Sequence, residues 1–86
     1  MFLHVKKADY LEGHRVWLEF NDGTSGEVDL ADELDGKVFE PLEDTTYFAS
    51  FELRGNTLAW ENGADFAPEF LRECMVSQGK VASEAR

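Results

Sequence analysis

The stretch HRVWLEFNDGTSGEVDL, residues 14–30, decides the fold because it reads as one complete β-hairpin. In its first half Val16, Leu18 and Phe20 alternate with other residues, which is typical of a strand that buries one face. The NDG triplet at residues 21–23 tolerates positive φ, as a tight hairpin turn requires. On the returning strand, the residues predicted to point inward are Gly26, Val28 and Leu30.

Three further strands are predicted outside this hairpin. Residues 2–10 form a first strand, and Gly13 supplies the turn between it and the hairpin. A fourth strand begins at residues 51–53, a fifth spans residues 57–61, and the GN pair between them forms a two-residue turn. The inward residues of the fifth strand are Leu58 and Trp60. Residues 38–42 are predicted to be extended.

Helices are predicted at three places. Asp29 caps a short turn of helix that runs through Leu34, and Asp44 caps a second short helix that reaches Phe51. The third helix is C-terminal and carries Pro68 in its first turn, where the missing N–H costs nothing. Its apolar stripe, predicted to pack on the sheet, comprises Phe66, Phe70, Leu71 and Cys74.

These elements predict an α+β fold in a single domain at residues 1–76. We expect a small antiparallel sheet of about five strands, with a C-terminal helix and one or two short helices packed on one face. Residues 77–86 are small, polar and aperiodic, and are predicted to form a flexible tail. A chain of 86 residues leaves room for one core and no second domain.

The charge of the chain limits its partners. Lys and Arg number 8 against 18 Asp and Glu, which gives a formal net charge of −10 at pH 7. Such a surface repels phosphate backbones and anionic lipid head groups, so we expect neither direct nucleic-acid binding nor membrane binding. The same surface attracts a basic protein, although most small acidic proteins are simply well solvated.

The cysteine and histidine content argues against a metal site and against a catalytic thiol. Cys74 is the only cysteine, which excludes an intramolecular disulfide and a cysteine-based zinc site, and its place on the helix stripe predicts a buried thiol. His4 and His14 fall on neighbouring strands but lack a third ligand. No metal and no cofactor are expected. The N-terminal residues lack the apolar segment of a signal peptide, so the expected location is the cytoplasm.

The loop WENGAD at residues 60–65 is the first candidate site. In a functional reading Trp60, Asn62, Gly63 and Asp65 form a ligand loop, in which Asp65 is a ligand or an acid–base group. In a structural reading Gly63 permits a positive φ, Asp65 accepts N–H bonds at the helix start, and Trp60 is core. The structural reading requires fewer assumptions, because a functional carboxylate needs a partner and the sequence offers Asp65 no nearby base, nucleophile or metal ligand.

Trp17 marks the second candidate site. Strict alternation places it with Arg15 and Glu19 on the sheet face opposite the apolar residues of the hairpin. An indole beside an arginine on an uncovered face is typical of an association surface, either for a second copy of the chain or for a different protein. In the alternative reading the helix at residues 44–51, or the tail, covers the indole and Trp17 is core.

Three motifs taken together resemble a known family. They are WLEFNDGTSGEVDL at residues 17–30, GKVFEPLEDTTYFASF at residues 36–51 and NTLAWENGADFAPEFL at residues 56–71. In this order they resemble the domain of unknown function 2442 family. The resemblance implies a compact α+β fold in bacteria with no established enzymatic activity or cofactor. Some members are fused to a helix-turn-helix segment, which has no counterpart in these residues, and some are encoded beside another small protein, which implies a toxin–antitoxin-like pair.

Two functions follow from these readings. The first is a protein-interaction or regulatory module without enzymatic activity, either a homodimer or the acidic partner of a basic protein in a two-gene toxin–antitoxin-like pair. The second is a small-molecule binder or an unrecognised enzyme that uses the Asp65 loop. A pocket lined by Asp65, Glu27 and Trp60 favours the second function, and a flat acidic surface favours the first.

Overall fold

The computed structural model of the chain describes residues 2–79 and the backbone of residues 81–83. The elements in chain order are β1 (Val5–Glu12), β2 (Arg15–Phe20), β3 (Ser25–Asp29), a first 3₁₀ helix (Ala31–Glu33), a second 3₁₀ helix (Lys37–Glu43), α1 (Thr45–Phe48), β4 (Glu52–Arg54), β5 (Thr57–Ala59), α2 (Pro68–Ser77) and β6 (Val81–Ser83). One antiparallel sheet has the strand order β1-β2-β3-β6, and β4 pairs with β5 in a second sheet. The α+β class predicted from the sequence is confirmed, and so are the five predicted antiparallel strands, which correspond to β1 to β5 and are divided between two sheets. The strand β6 is additional.

The hairpin of β2 and β3 forms as its pattern predicts. Val16 pairs with Val28, and Leu18 pairs with Gly26, so the inward residues of both strands share one face. Val16 and Leu18 are completely buried. Gly23 takes a φ of 92° in the turn, a conformation in which a residue with a Cβ is strained.

A single core lies on this face of the larger sheet. Both α helices, the second 3₁₀ helix and β5 place buried side chains in it beside those of β2. The centre is aromatic: the Trp60 ring centroid lies 5.6 Å from that of Phe48 and 5.8 Å from that of Phe66. The indole N–H of Trp60 donates to the Phe48 carbonyl at 2.9 Å, so this buried polar group is satisfied. The helices therefore pack on one face of the sheet, as predicted.

The prediction that residues 38–42 are extended is wrong, because this segment lies within the second 3₁₀ helix. Phe39 and Leu42 are three residues apart, which puts them on one side of a helix with three residues per turn. Leu42 is completely buried, and Phe39 packs against the core. The Phe39 N–H donates to the Gly36 carbonyl at 3.1 Å at the start of the turn. The three-residue spacing, rather than an alternation, decides the structure here.

Asp44 caps α1 as predicted, since its Oδ1 accepts from the Thr46 N–H at 2.9 Å. The helix ends at Phe48 and does not reach Phe51. The Ser50 N–H and hydroxyl both bond the Tyr47 carbonyl, which diverts the chain into the turn that precedes β4.

The predicted stripe of α2 is displaced around the helix. Leu71 and Met75 are the buried residues, whereas Phe70 is 37% exposed and Cys74 is half-buried at the margin of the core. Phe66 precedes the first helical residue, so a spacing of four counted from it does not follow the helix. The prediction that Cys74 is fully buried is therefore corrected to a half-buried position.

The flexible tail predicted at residues 77–86 is only partly compatible with the structure. Ser77 ends α2, and the Gln78 side chain exchanges two hydrogen bonds with the Asp29 backbone, each of 2.9 Å. Gly79 turns the chain at a φ of 68°, and residues 81–83 then pair with β3. The pairing uses backbone groups of an otherwise open strand edge, and for this reason it leaves no apolar pattern in the sequence. Residues 80 and 84–86 lie outside the described residues.

Candidate functional site

Trp17 lies on the face of the larger sheet opposite the core. It is half-buried and does not belong to the core cluster, in contrast to its completely buried neighbours on β2. The strand register places Asp9 of β1 opposite Trp17 on one side and Glu27 of β3 on the other. Side chains directly opposite in antiparallel strands have Cβ atoms roughly 4.5–5.5 Å apart. The indole therefore lies between two carboxylates.

Ion pairs surround the row formed by the side chains of Asp9, Trp17 and Glu27. Arg15 pairs with Glu12 and, with 3.9 Å between Nη1 and Oε1, with Glu27. Lys6 pairs with Glu19 at 3.6 Å. Within the described chain, the carboxylate of Asp9 has neither an ion pair nor a hydrogen bond. The structure thus brings Arg15, Trp17 and Glu19 together on one face, as the alternation predicts, and adds Asp9 from the neighbouring strand.

The reading in which the helix at residues 44–51 covers Trp17 is wrong. The helix places Phe48 in the core, where its ring centroid is 4.9 Å from that of His14 and 5.6 Å from that of Trp60. Because this contact is on the other face of the sheet, α1 cannot shield the indole. The other predicted cover was the tail at residues 77–86, of which residues 80 and 84–86 lie outside the described residues and residues 81–83 are described by their backbone alone.

The loop at residues 60–65 is largely occupied by structural contacts. Trp60 is 1% exposed, because its ring packs in the core. The Asn62 side chain donates to the Val38 carbonyl at 2.8 Å and accepts from the Ala64 N–H at 3.1 Å, which fixes the turn. Gly63 has a φ of 93°, as the structural reading requires.

Asp65 does not cap α2, contrary to the structural reading of this residue. The helix begins at Pro68, and its N-cap is Ala67, which offers no side-chain acceptor. Asp65 is exposed and contacts β5 through a backbone bridge to Ala59. It borders a cavity of about 280 Å³ together with Trp60 and Arg54. Glu27 does not line this cavity, so the expected pocket of Asp65, Glu27 and Trp60 does not form.

The sequence reading missed an acidic cavity of about 440 Å³ beside His14. Its ionisable walls are Asp32, Asp35 and Glu43, which come from the two 3₁₀ helices and the turn between them. The imidazole Nε2 donates to the Leu42 carbonyl at 2.8 Å, so the ring is held by a structural bond. No group of three potential metal ligands forms anywhere in the part of the chain that the structure describes. The run of acidic residues is visible in the sequence, but the approach of His14 is a product of the fold.

Cys74 is not suited to nucleophilic chemistry. Burial raises the pKa of its thiol, and the carboxylates of Glu33 and Glu73 raise it further. The thiol therefore stays protonated at neutral pH, whereas nucleophilic attack needs the thiolate.

Among the described residues, no helix has the length and apolar character required to cross a membrane.

Fold and site together define a small antiparallel α+β domain with a helical layer on one face of its larger sheet and a charged, tryptophan-centred face on the other. The family model described as "Protein of unknown function (DUF2442)" matches residues 5–74, and the chain belongs to this family. This confirms the family resemblance drawn from the three sequence motifs. No curated protein and no solved structure matches the chain.

Proposed function

We propose that the protein is a protein-interaction module without enzymatic activity, and that the face around Arg15, Trp17 and Glu19 is its contact surface. The observation that carries the proposal is the half-buried indole of Trp17 on a sheet face that no described helix covers. Tryptophan and arginine are enriched among the residues that dominate binding energy at interfaces. Burying the rest of the indole against a partner adds favourable apolar burial without any change in the domain core.

The charge of the protein favours a basic partner. The formal net charge is −10, and the row through Trp17 carries a carboxylate on each side. Complementary charge speeds association and selects against acidic partners. The family resemblance supports the finer proposal that this partner is encoded beside the protein in a two-gene toxin–antitoxin-like pair. A homodimer through the same face is the competing form of the proposal.

Co-purification with matched variants tests this surface. The tagged protein, the Trp17→Thr variant and the Leu53→Thr variant are isolated from native cells, and their stoichiometric partners are compared. Threonine keeps strand propensity while it removes apolar area. Leu53 is a suitable control because it is a strand residue, 43% exposed, and lies on the other sheet. We expect Trp17→Thr alone to lose the partner while it remains folded. A partner retained by Trp17→Thr would contradict the proposal.

The second candidate, a small-molecule binder or enzyme that uses the Asp65 loop, is supported by the cavity that Asp65 and Arg54 border. A cation and a carboxylate across a small cavity could orient a polar ligand. The discriminating experiment is a thermal-shift screen of small metabolites, repeated on Asp65→Asn and Trp17→Thr. A ligand whose stabilising shift disappears in Asp65→Asn and persists in Trp17→Thr would favour this candidate over the interaction module.

A further inference from the structure

We infer that Trp17 and Asp9 form a receptor for one cationic side chain, an arginine or a lysine, of a protein partner. The inference rests on the proposed function and deepens it by naming the chemistry of the partner. In this arrangement the partner's cation lies over the indole face, while the Asp9 carboxylate accepts its N–H donors.

The chemistry of the two side chains fits this role. A cation is attracted to the face of an aromatic ring, and tryptophan is the best ring for the purpose. A carboxylate directly across the strand pair from the indole adds a charge-assisted hydrogen bond to the same cation. Arginine suits the site better than lysine, because its planar guanidinium stacks on a ring and still presents donors at its edge.

The pattern of ion pairs identifies Asp9 as the acceptor. Arg15 and Lys6 already have carboxylate partners. Lys7 lies opposite Glu19, one row away from Trp17. Asp9 has no such partner within the described residues, although it is exposed beside the indole. An incoming cation can therefore pair with Asp9 without breaking an existing ion pair.

The electrostatics favour a basic partner over a second copy of the chain. Each copy carries a formal net charge of −10, so two copies repel each other. Face-to-face packing would also bring the carboxylates of Asp9, Glu19 and Glu27 against an equal set. A basic segment meets the same carboxylates with opposite sign.

The test uses a hexa-arginine peptide as probe and a hexa-citrulline peptide as its uncharged isostere. Binding is measured by calorimetry for the natural protein and for four variants, after circular dichroism has shown that each variant is folded. Trp17→Thr removes the ring, Trp17→Phe keeps a ring, and Asp9→Asn removes the proposed acceptor. Glu40→Gln is the charge-matched control, because Glu40 is exposed on the helical layer on the other side of the sheet.

We expect hexa-arginine to bind and hexa-citrulline not to bind. Loss of one cation–π contact corresponds to roughly a tenfold weaker affinity, so Trp17→Thr should show a loss of this order and Trp17→Phe a smaller one. Asp9→Asn should weaken binding several-fold more than Glu40→Gln, and added salt should weaken it further. Fluorescence offers a second readout: Trp60 is 1% exposed, so quenching on titration reports on Trp17.

Three results would overturn the inference: no binding of hexa-arginine, equal binding by the natural protein and Trp17→Thr, or equal losses in Asp9→Asn and Glu40→Gln. These results are separable from failure of the proposed function. If Trp17→Thr loses its cellular partner but binds hexa-arginine normally, the contact surface stands and the cation receptor is refuted. If it keeps the cellular partner and loses hexa-arginine, the receptor stands and the contact surface is refuted.

Discussion

Asp22 ties the turn between β2 and β3 to α2 through a single side chain. Its Oδ1 accepts from the Thr24 N–H at 3.0 Å and from the Thr24 hydroxyl at 2.5 Å, and its Oδ2 accepts from Arg72 Nη1 at 2.6 Å. The hydrogen bond from the Thr24 hydroxyl has the largest effect on the pKa of the Asp22 carboxyl. It acts with the Thr24 N–H and Arg72, and against burial, to lower the pKa of Asp22 from 3.8 to about 2.

This pKa predicts an acid dependence of stability. Because the pKa of Asp22 is lower in the folded state, its contribution is complete above about pH 4 and is lost as the pH falls towards 2. In Asp22→Asn we expect the free energy of unfolding at pH 7 to fall by roughly 1 kcal/mol. The dependence of that free energy on pH between 4 and 2 should also become flatter. Urea unfolding across this range measures both effects. An unchanged slope would show that other carboxyls account for the acid sensitivity.

Substitution by phenylalanine is expected to affect the stability of the protein strongly at Trp60 and weakly at Trp17. Trp60→Phe removes the N–H that satisfies the buried Phe48 carbonyl and leaves a cavity, so we expect a loss of roughly 2–3 kcal/mol in unfolding free energy. Trp17→Phe, on the uncovered face, should change it by no more than about 0.5 kcal/mol. Urea unfolding of the two variants in parallel makes the comparison. Equal losses would mean that Trp17 also belongs to a core.

Alternation along β2 was sufficient to place Trp17 on the sheet face opposite Val16 and Leu18, since a period of two fixes which side of a sheet a residue occupies, but it left open whether another segment covers the indole. The sequence pattern was not sufficient to decide whether Asp65 caps α2, because a cap depends on the residue at which the helix begins. Pro68 is the first residue of α2, so the cap position falls on Ala67 and Asp65 lies two residues too early. The approach of Asp9 to Trp17 depends on the register between β1 and β2. Sequence pattern alone does not specify that register to the residue.

Among the elements, the hairpins were predictable and the irregular segments were not. A turn such as Gly55-Asn56, where both residues have positive φ, can be recognised in the sequence from its residue types. The second 3₁₀ helix was read as extended because a spacing of three resembles neither the strand period nor the α-helical period. The attachment of β6 relies on the amide of Gln78, a residue type that carries no positional signal.

Gln78 predicts a local change in hydrogen exchange. In Gln78→Ala the Asp29 N–H loses its acceptor, so its exchange should accelerate by roughly tenfold, while the amides of β2 keep their protection. Ser77→Ala, an exposed change one residue earlier, is the control. Exchange measured by NMR resolves the individual amides. Unchanged protection at Asp29 in Gln78→Ala would show that backbone pairing alone holds β6 in place.

At the scale of the whole molecule, the excess of carboxylates is the dominant property. Eighteen Asp and Glu against 8 Lys and Arg produce a field that attracts cations and repels phosphate. Lys6 and Arg15, near the candidate site, are paired with carboxylates, and Arg72 is paired with Asp22. The described surface therefore presents no basic stripe of the kind that follows a nucleic-acid backbone.

We accordingly predict that the protein alone does not bind DNA or RNA at physiological salt. The measurement is elution from columns carrying duplex DNA and single-stranded RNA, with the protein loaded at low salt, where phosphate contacts are strongest. The protein should appear in the flow-through from both columns. Retention that is released by a salt gradient would contradict the prediction, whereas retention seen only with a bound partner would not.

The pairing of β6 with β3 has a consequence for the growing chain. The bonds between Asp29 and Gln78 join residues 49 positions apart, whereas the β1-β2-β3 meander closes through short turns. Contacts between distant residues pay a larger loop-closure entropy and form later. On the ribosome, the edge of β3 therefore stays unpaired until residues 78–83 have emerged. An unpaired strand edge is a template for pairing between nascent chains. Slower translation of the last segment should lengthen that interval and increase aggregation, even though the finished domain is unchanged.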